Sequence, residues 1–342
     1  MSHLFLMSRR ALLVLIASLG LAAPGPLIAQ TDPLPSWNDG LAKQAILDLV
    51  AATTTEGGAD YVEPADRIAT FDQDGTTWVE QPLYGQGLFA LDRLAAMAPE
   101  HPDWKDTEPF KSVLTGDHAA MAKFTEKDWM EIVAVTHAGM STADFEKIVD
   151  DWVPKSENPA LKRGPVTSLV YQPMLEVMDY LRSNGFRTYI VTGGGQEFVR
   201  AYSQDIYGIP PAQVIGSSIV TKYEMKDGEP VLMRDPKLFF NDNNDGKAIG
   251  INLFIGERPQ IAFGNTEGDK EMLEWTTAGD GARLGLLVLH DDAEREFAYG
   301  PADGLPDTKV GTFSQALMDS AKQNGWTVIS MKDDWKTVFA GP

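Results

Sequence analysis

The chain has 342 residues, 43% of them hydrophobic, enough for one large or two modest domains around a substantial core. Its 49 acidic and 29 basic side chains leave a net charge of −20, which argues against a non-specific nucleic-acid binder built on Lys/Arg patches and against an anionic membrane surface as partner. There is no cysteine, so disulfides, thiolate metal sites and cysteine nucleophiles are excluded.

Ser8-Arg9-Arg10 precedes an apolar run over 11–23, which ends in Pro24-Gly25-Pro26-Leu27-Ile28-Ala29. A charged start, an apolar stretch too short for a comfortable span and small residues for cleavage read as a signal peptide over 1–29, with a twin-arginine flavour. The expected product is periplasmic or secreted, with no membrane attachment after cleavage. Residues 30–40, rich in Pro, Asp and Gly, read as a linker, and 43–53 has helical spacing. Residues 67–71 are an apolar strand that ends in Asp72-Gln73-Asp74-Gly75-Thr76. From 83 to 152 the pattern is helical, until Asn158-Pro159 and Gly164-Pro165 mark a boundary.

Alternation follows: helix 174–182, strand 187–191, helix 196–207, strand 214–218 and a hairpin over 219–233 around Asp227-Gly228. A short helix at 247–255, strands at 260–263 and 284–289, a helix at 312–324 and a strand at 327–331 complete the chain, with 335–339 as a docking segment. Strands separated by helices predict an α/β fold, a Rossmann-like parallel sheet with helices on both faces. Ligands of such sheets bind beyond the carboxyl ends of the strands, where the polar motifs of this chain lie.

Four segments carry the chemistry: Asp72-Gln73-Asp74-Gly75-Thr76, Thr192-Gly193-Gly194-Gly195, Gly246-Lys247 and Gly264-Asn265-Thr266-Glu267-Gly268-Asp269. Their order and spacing, over roughly 65–295, resemble the haloacid dehalogenase superfamily, most of whose members are phosphatases. The resemblance implies a core that starts at 30–80 and resumes at 161–342, with a helical cap inserted at 81–160, as in phosphoserine-phosphatase-like members. It makes Asp72 the nucleophile of an aspartyl-phosphate intermediate and Asp74 the acid that protonates the leaving alcohol, then the base for water. Thr192, the amides of Gly193 and Gly194, and Lys247 would hold the phosphoryl group. Asp72, the backbone carbonyl of Asp74, Asn265 and Asp269 would hold Mg²⁺. The fourth motif often begins Gly-Asp, and here Asn265 stands in for that acid, at the loss of one negative charge. Gly75 is expected at positive φ.

The expected activity is an exported, Mg²⁺-dependent phosphomonoesterase for small substrates. The alternatives are a haloacid dehalogenase-type hydrolase, which needs no acid at Asp74, and a non-catalytic periplasmic binding protein. Trp78 is a candidate pocket residue. Glu80 is a candidate substrate contact, one position short of the Glu that phosphoserine phosphatases carry nine residues after the nucleophile, where this chain has Gln81. Phe198 breaks a dinucleotide Gly-x-Gly-x-x-Gly pattern, and Asn252 stands where a calcium loop from Asn241 needs its Glu, so 241–246 reads as the loop leading to Lys247. His101, His118, His137 and His290 lack metal-ligand spacing and read as structural or surface residues. Oligomeric state is not legible.

Overall fold

A computed structural model describes residues 32–340, so the expected leader at 1–29 lies outside the described residues. Among the described residues no helix is long and apolar enough to cross a membrane. Helix α1 (Leu41–Thr54) buries Ala42, Ile46, Leu49 and Val50 and leads to strand β1 (Ile68–Phe71), whose four residues are all buried. A strand covered on both faces needs an unbroken apolar run rather than alternation, and Ile-Ala-Thr-Phe comes close to one. A helical block follows: α2 (Gly85–Met97), α3 (Phe110–Thr115), α4 (His118–Met121), α5 (Glu126–His137) and α6 (Thr142–Trp152). Thr125 and Asp128 form a capping box at the start of α5, and the Ser141 hydroxyl accepts from the Asp144 amide to cap α6. The remainder alternates through α7 (Gln172–Ser183), β2 (Arg187–Gly195), α8 (Gln196–Tyr207), β3 (Val214–Lys226), β4 (Glu229–Phe240), α9 (Asp245–Phe254), β5 (Ile261–Gly264), α10 (Lys270–Thr277), β6 (Leu284–Leu289), α11 (Gln315–Asn324), β7 (Thr327–Ser330) and α12 (Met331–Asp334).

The strands lie in the order β4-β3-β2-β1-β5-β6-β7. Neighbours are parallel throughout, except that β4 runs antiparallel to β3. The α/β expectation is met, with one correction at that edge. The hairpin turn does fall at Asp227-Gly228, whose φ of 54° and 88° suit the primed turns that match strand twist. Its arms are longer than 219–233, because register shifts near Ser218 and Ile219 let β3 continue as one strand. Pro230 and Pro236, which argue against a central strand, are tolerated in β4 because it is an edge.

From β1 the chain builds to β2 and β3 on one side and to β5, β6 and β7 on the other. The switch in direction falls at β1, where ligands of open α/β sheets bind. One sheet face packs Phe71 and Ile190 against Ile46, Val177 and Val199; the other packs Val191 and Ala262 against Ile251, Met272 and Leu317. The helical block has its own apolar cluster of Ala90, Leu94, Trp104, Phe110 and Ile132.

Two contacts fix that block over the sheet. Phe89 of α2 meets Phe198 of α8 at 5.4 Å between ring centroids. Arg234 of β4 donates from Nε to the His137 carbonyl (2.6 Å), lies 3.9 Å over the Phe145 ring and pairs with Glu197. The hairpin, outside 81–160, therefore braces the helices from the side.

Candidate active site

The Asp72 amide donates to the Phe263 carbonyl at 2.9 Å, so the ladder between β1 and β5 holds the backbone one residue past the strand. Gly75 then turns the chain at φ 75°, as expected. A Cβ there would stand 2.1 Å from Asn265 Nδ2 and 2.3 Å from Glu80 Oε1, so close approach requires glycine as much as the dihedral does. The buried His290 donates from Nε2 to the Gly75 carbonyl at 2.8 Å, consistent with its structural reading.

Lys247 sits in the first turn of α9 and is buried. Its three protons go to Asp72 Oδ1 (2.5 Å), Asp269 Oδ1 (2.5 Å) and the Val191 carbonyl (2.9 Å). Burial lowers its pKa, but Asp269 and Asp72 outweigh that and raise it, so the ammonium stays charged. Direct donation to a phosphoryl oxygen would require exchanging one of these bonds; as it stands, Lys247 acts by charge. Burial and the Asp269 carboxylate push Asp72 up to about 7, with Lys247 pulling the other way. Asp74 stays partly open to a cavity of about 700 Å³, and burial pushes its carboxyl up to about 6 against a 2.7 Å hydrogen bond from Trp78 Nε1. A carboxyl near neutrality suits a group that must give a proton and take it back.

Trp78 is placed differently from the sequence reading, whereas Glu80 does reach the cavity wall. Trp78 is buried, stacks on Tyr202 at 5.2 Å and holds Asp74 rather than lining the cavity. The Glu80 carboxylate is also buried, and its Oε1 accepts from Tyr299 Oη (2.8 Å) and Asn265 Nδ2 (2.7 Å). It lines the same cavity as Asp72 and Asp74. Burial raises its pKa well above the ordinary value, opposed by the Tyr299 hydrogen bond.

A bulge after Thr192 takes Gly193 and Gly194 out of the β2–β3 ladder and sets both on the cavity wall. The Gly194 amide, expected to face a phosphoryl oxygen, instead donates to Thr192 Oγ1 at 3.0 Å. That bond leaves the Thr192 hydroxyl hydrogen to donate elsewhere. The Gly195 amide donates to Gln86 Oε1 at 2.7 Å, so a side chain of α2 reaches across to the rim of the cradle. Gln86 carried no signal in the sequence.

The donors near Asp72 are oxygens, as a hard cation requires. Among the described residues no three Asp, Glu or His side chains converge on one point. Asp269, the other expected carboxylate ligand, turns Oδ1 to Lys247, and its Oδ2 accepts from the amides of Asn265 and Thr266 and from Thr266 Oγ1. Asp269 therefore holds the loop. What meets at Asp72 is Asn265 Oδ1, which accepts from Thr76 Oγ1 at 3.1 Å, and Thr76 Oγ1 itself, 3.5 Å from Asp72 Oδ2. Glu80 Oε1 takes the amide nitrogen of Asn265, which leaves the amide oxygen to face Thr76 and Asp72. An all-oxygen set with few protein ligands fits Mg²⁺, which keeps several waters. Thr76 and the orienting part of Glu80 were missed by sequence reasoning.

A family model described as haloacid dehalogenase-like hydrolase matches residues 69–274, spanning β1 to α10 and all four motifs. The chain belongs to this family. Among solved structures, a conserved functionally unknown protein from Anaerococcus prevotii DSM 20548 is 14% identical, with a TM-score of 0.53 over 88% of this chain and 96% of its own. A protein of unknown function from Bordetella pertussis Tohama I is 14% identical, with a TM-score of 0.46 over 77% and 98% of the two chains. A phosphoserine phosphohydrolase-like protein from Francisella tularensis subsp. tularensis SCHU S4 is 16% identical, with a TM-score of 0.36 over 66% and 88%. At these identities the likeness to the Anaerococcus protein is one of fold, and the other two carry no argument. No curated protein matches the chain.

The raised carboxyls have a consequence for stability. Asp74 titrates at 3.8 when unfolded and at about 6 when folded, so between those values the native state binds more protons. The stability this contributes is complete below 3.8 and is lost as pH rises through 6; Asp72 extends the same trend to about 7. The expected result is a melting temperature in EDTA that falls from pH 5 to pH 8, with a shallower fall in Asp74→Asn. An equal slope in the two proteins would contradict the burial of Asp74.

Proposed function

We propose that this hydrolase is a Mg²⁺-dependent phosphomonoesterase that works through an aspartyl-phosphate on Asp72. The observation that carries the reading is Asp74: a carboxyl raised toward neutrality, held by Trp78 and opening into the same cavity as Asp72. Displacement at carbon by a dehalogenase needs no such acid, whereas an alkoxide leaving group does. Asp72 attacks phosphorus, the ester oxygen takes the proton of Asp74, and Asp74 then accepts a proton from the water that cleaves the acyl phosphate. Thr192 and Lys247 contribute a donor and a fixed positive charge against the phosphoryl oxygens. Mg²⁺, held by Asp72, Asn265 and the Asp74 carbonyl, would supply the positive charge that lets one anion approach another. The apolar leader at 1–29 supports action outside the cytoplasm on small phosphate monoesters, with nucleic acid disfavoured by the charge of −20. The first test is phosphate release from p-nitrophenyl phosphate, expected with Mg²⁺ and lost in EDTA. Release that ignores EDTA would remove the metal from the scheme.

The orienting contact of Glu80 gives a sharper test. Glu80→Gln lets the amide of Asn265 turn, and Mg²⁺ affinity by calorimetry is expected to fall about 10- to 100-fold. Asn265→Asp, the residue common in the family, puts two carboxylates 2.7 Å apart and lowers the melting temperature in EDTA. The double variant Glu80→Gln/Asn265→Asp restores both readouts by reversing the hydrogen bond. If Asn265→Asp alone melts normally and binds Mg²⁺ more tightly, Glu80 does not orient this ligand.

A further inference from the structure

The cavity above Asp72 has two chemically distinct ends. At the sheet lie Asp72, Asp74, Lys247, Thr192 and the glycine bulge. The helical block lines the cavity mainly with Leu83, Met121, Phe124, Trp129 and Val133, with Tyr84 and Gln86 as its polar side chains, and Val310 joins them. Among the described residues the carboxylates that line it are Asp72, Asp74 and Glu80. All three are at the catalytic end, hydrogen-bonded to Lys247, Trp78, and Asn265 with Tyr299. The cation at the cap end is Lys309, whose Nζ donates to the Ala122 carbonyl at 2.8 Å.

Building on the phosphatase reading, we infer that the substrate is a phosphate monoester of an uncharged, apolar, ring-sized alcohol. A volume of about 700 Å³ exceeds what a two- or three-carbon alcohol fills, and a cavity walled by Phe124, Trp129 and Leu83 gains from burying apolar area. A substrate with an ammonium group would bring it to a wall with no carboxylate partner and toward the Lys309 charge, at a large desolvation cost. Phe124 and Trp129 attract an ammonium through their ring faces, which the charge of Lys309 and the lack of a carboxylate partner oppose. Phosphoserine, phosphoethanolamine and phosphocholine are therefore disfavoured.

The test compares benzyl phosphate with these three and with glycerol phosphate. All leave as alkyl alcohols, so leaving-group acidity does not dominate the comparison. The expected kcat/KM for benzyl phosphate exceeds that for phosphoserine by about 100-fold, the worth of burying one aromatic ring. Trp129→Ala is expected to shrink the ratio of benzyl to glycerol phosphate at least about fivefold, through KM rather than kcat. A control uses acetyl phosphate, whose leaving group is too small to sense the cap end, to phosphorylate Asp72. If Asp72 is labelled but a cationic or zwitterionic ester is preferred, or no ester is preferred, the apolar-substrate inference fails alone. If neither acetyl phosphate nor any ester labels Asp72, the phosphatase reading itself fails.

Discussion

Asp72→Asn is expected to abolish phosphate release, by on the order of 10⁴-fold or more, as removal of a covalent nucleophile does in other enzymes. The amide is a poor nucleophile, yet it preserves the shape of the site. Its oxygen can still accept from Lys247, which keeps Asp269 and the Val191 carbonyl as partners. The native carboxylate is destabilised by burial and by Asp269, since its pKa is pushed up to about 7. Removing that charge is therefore expected to leave the melting temperature equal or higher at pH 8. Loss of activity in a folded, more stable protein separates a nucleophile from a structural acid. Residual activity within tenfold of the wild type would exclude Asp72 as nucleophile.

Asp74→Asn is the second large effect, and its pattern matters more than its size. Without a proton to give, release of an alkyl alcohol is expected to fall about 10²- to 10⁴-fold. p-Nitrophenol leaves without help, so the first step with p-nitrophenyl phosphate is expected to suffer far less. Hydrolysis of the acyl phosphate still lacks its base, so a burst of p-nitrophenol followed by a slow steady rate is expected. Stopped-flow absorbance checks this. Equal losses for both substrates and no burst would mean that Asp74 is neither acid nor base. Trp78 belongs to the same device, because its Nε1 holds Asp74 Oδ1.

The grouping of Asp72, Thr192, Asn265 and Lys247 was legible because these residues terminate strands or open helices. Asp72 follows β1, Thr192 lies in β2 just before its bulge, Asn265 follows β5 and Lys247 opens α9, and each position is fixed by local apolar patterning. The parts that were misread or missed depend on distant partners. Glu80 turns inward because Asn265 and Tyr299, 185 and 219 positions away, meet it there. Trp78 looked like a pocket residue, but Tyr202 on α8 draws its ring into the core. Gln86 reaches an amide 109 positions on, with no motif around it. β4 runs on past the expected end at 233 through Pro236, which an edge strand tolerates. Arg234, which braces α5 and α6, lies one residue past the expected end of that arm.

The covalent intermediate on Asp72 can be trapped chemically. Brief reaction with an activated phosphate ester in Mg²⁺, quenching and treatment with borohydride would reduce an acyl phosphate at its carbonyl. Peptide mass spectrometry is then predicted to find homoserine in place of aspartate at position 72, enriched in Asp74→Asn and absent in Asp72→Asn. Full turnover of the ester with position 72 unmodified in wild type and in Asp74→Asn would contradict it.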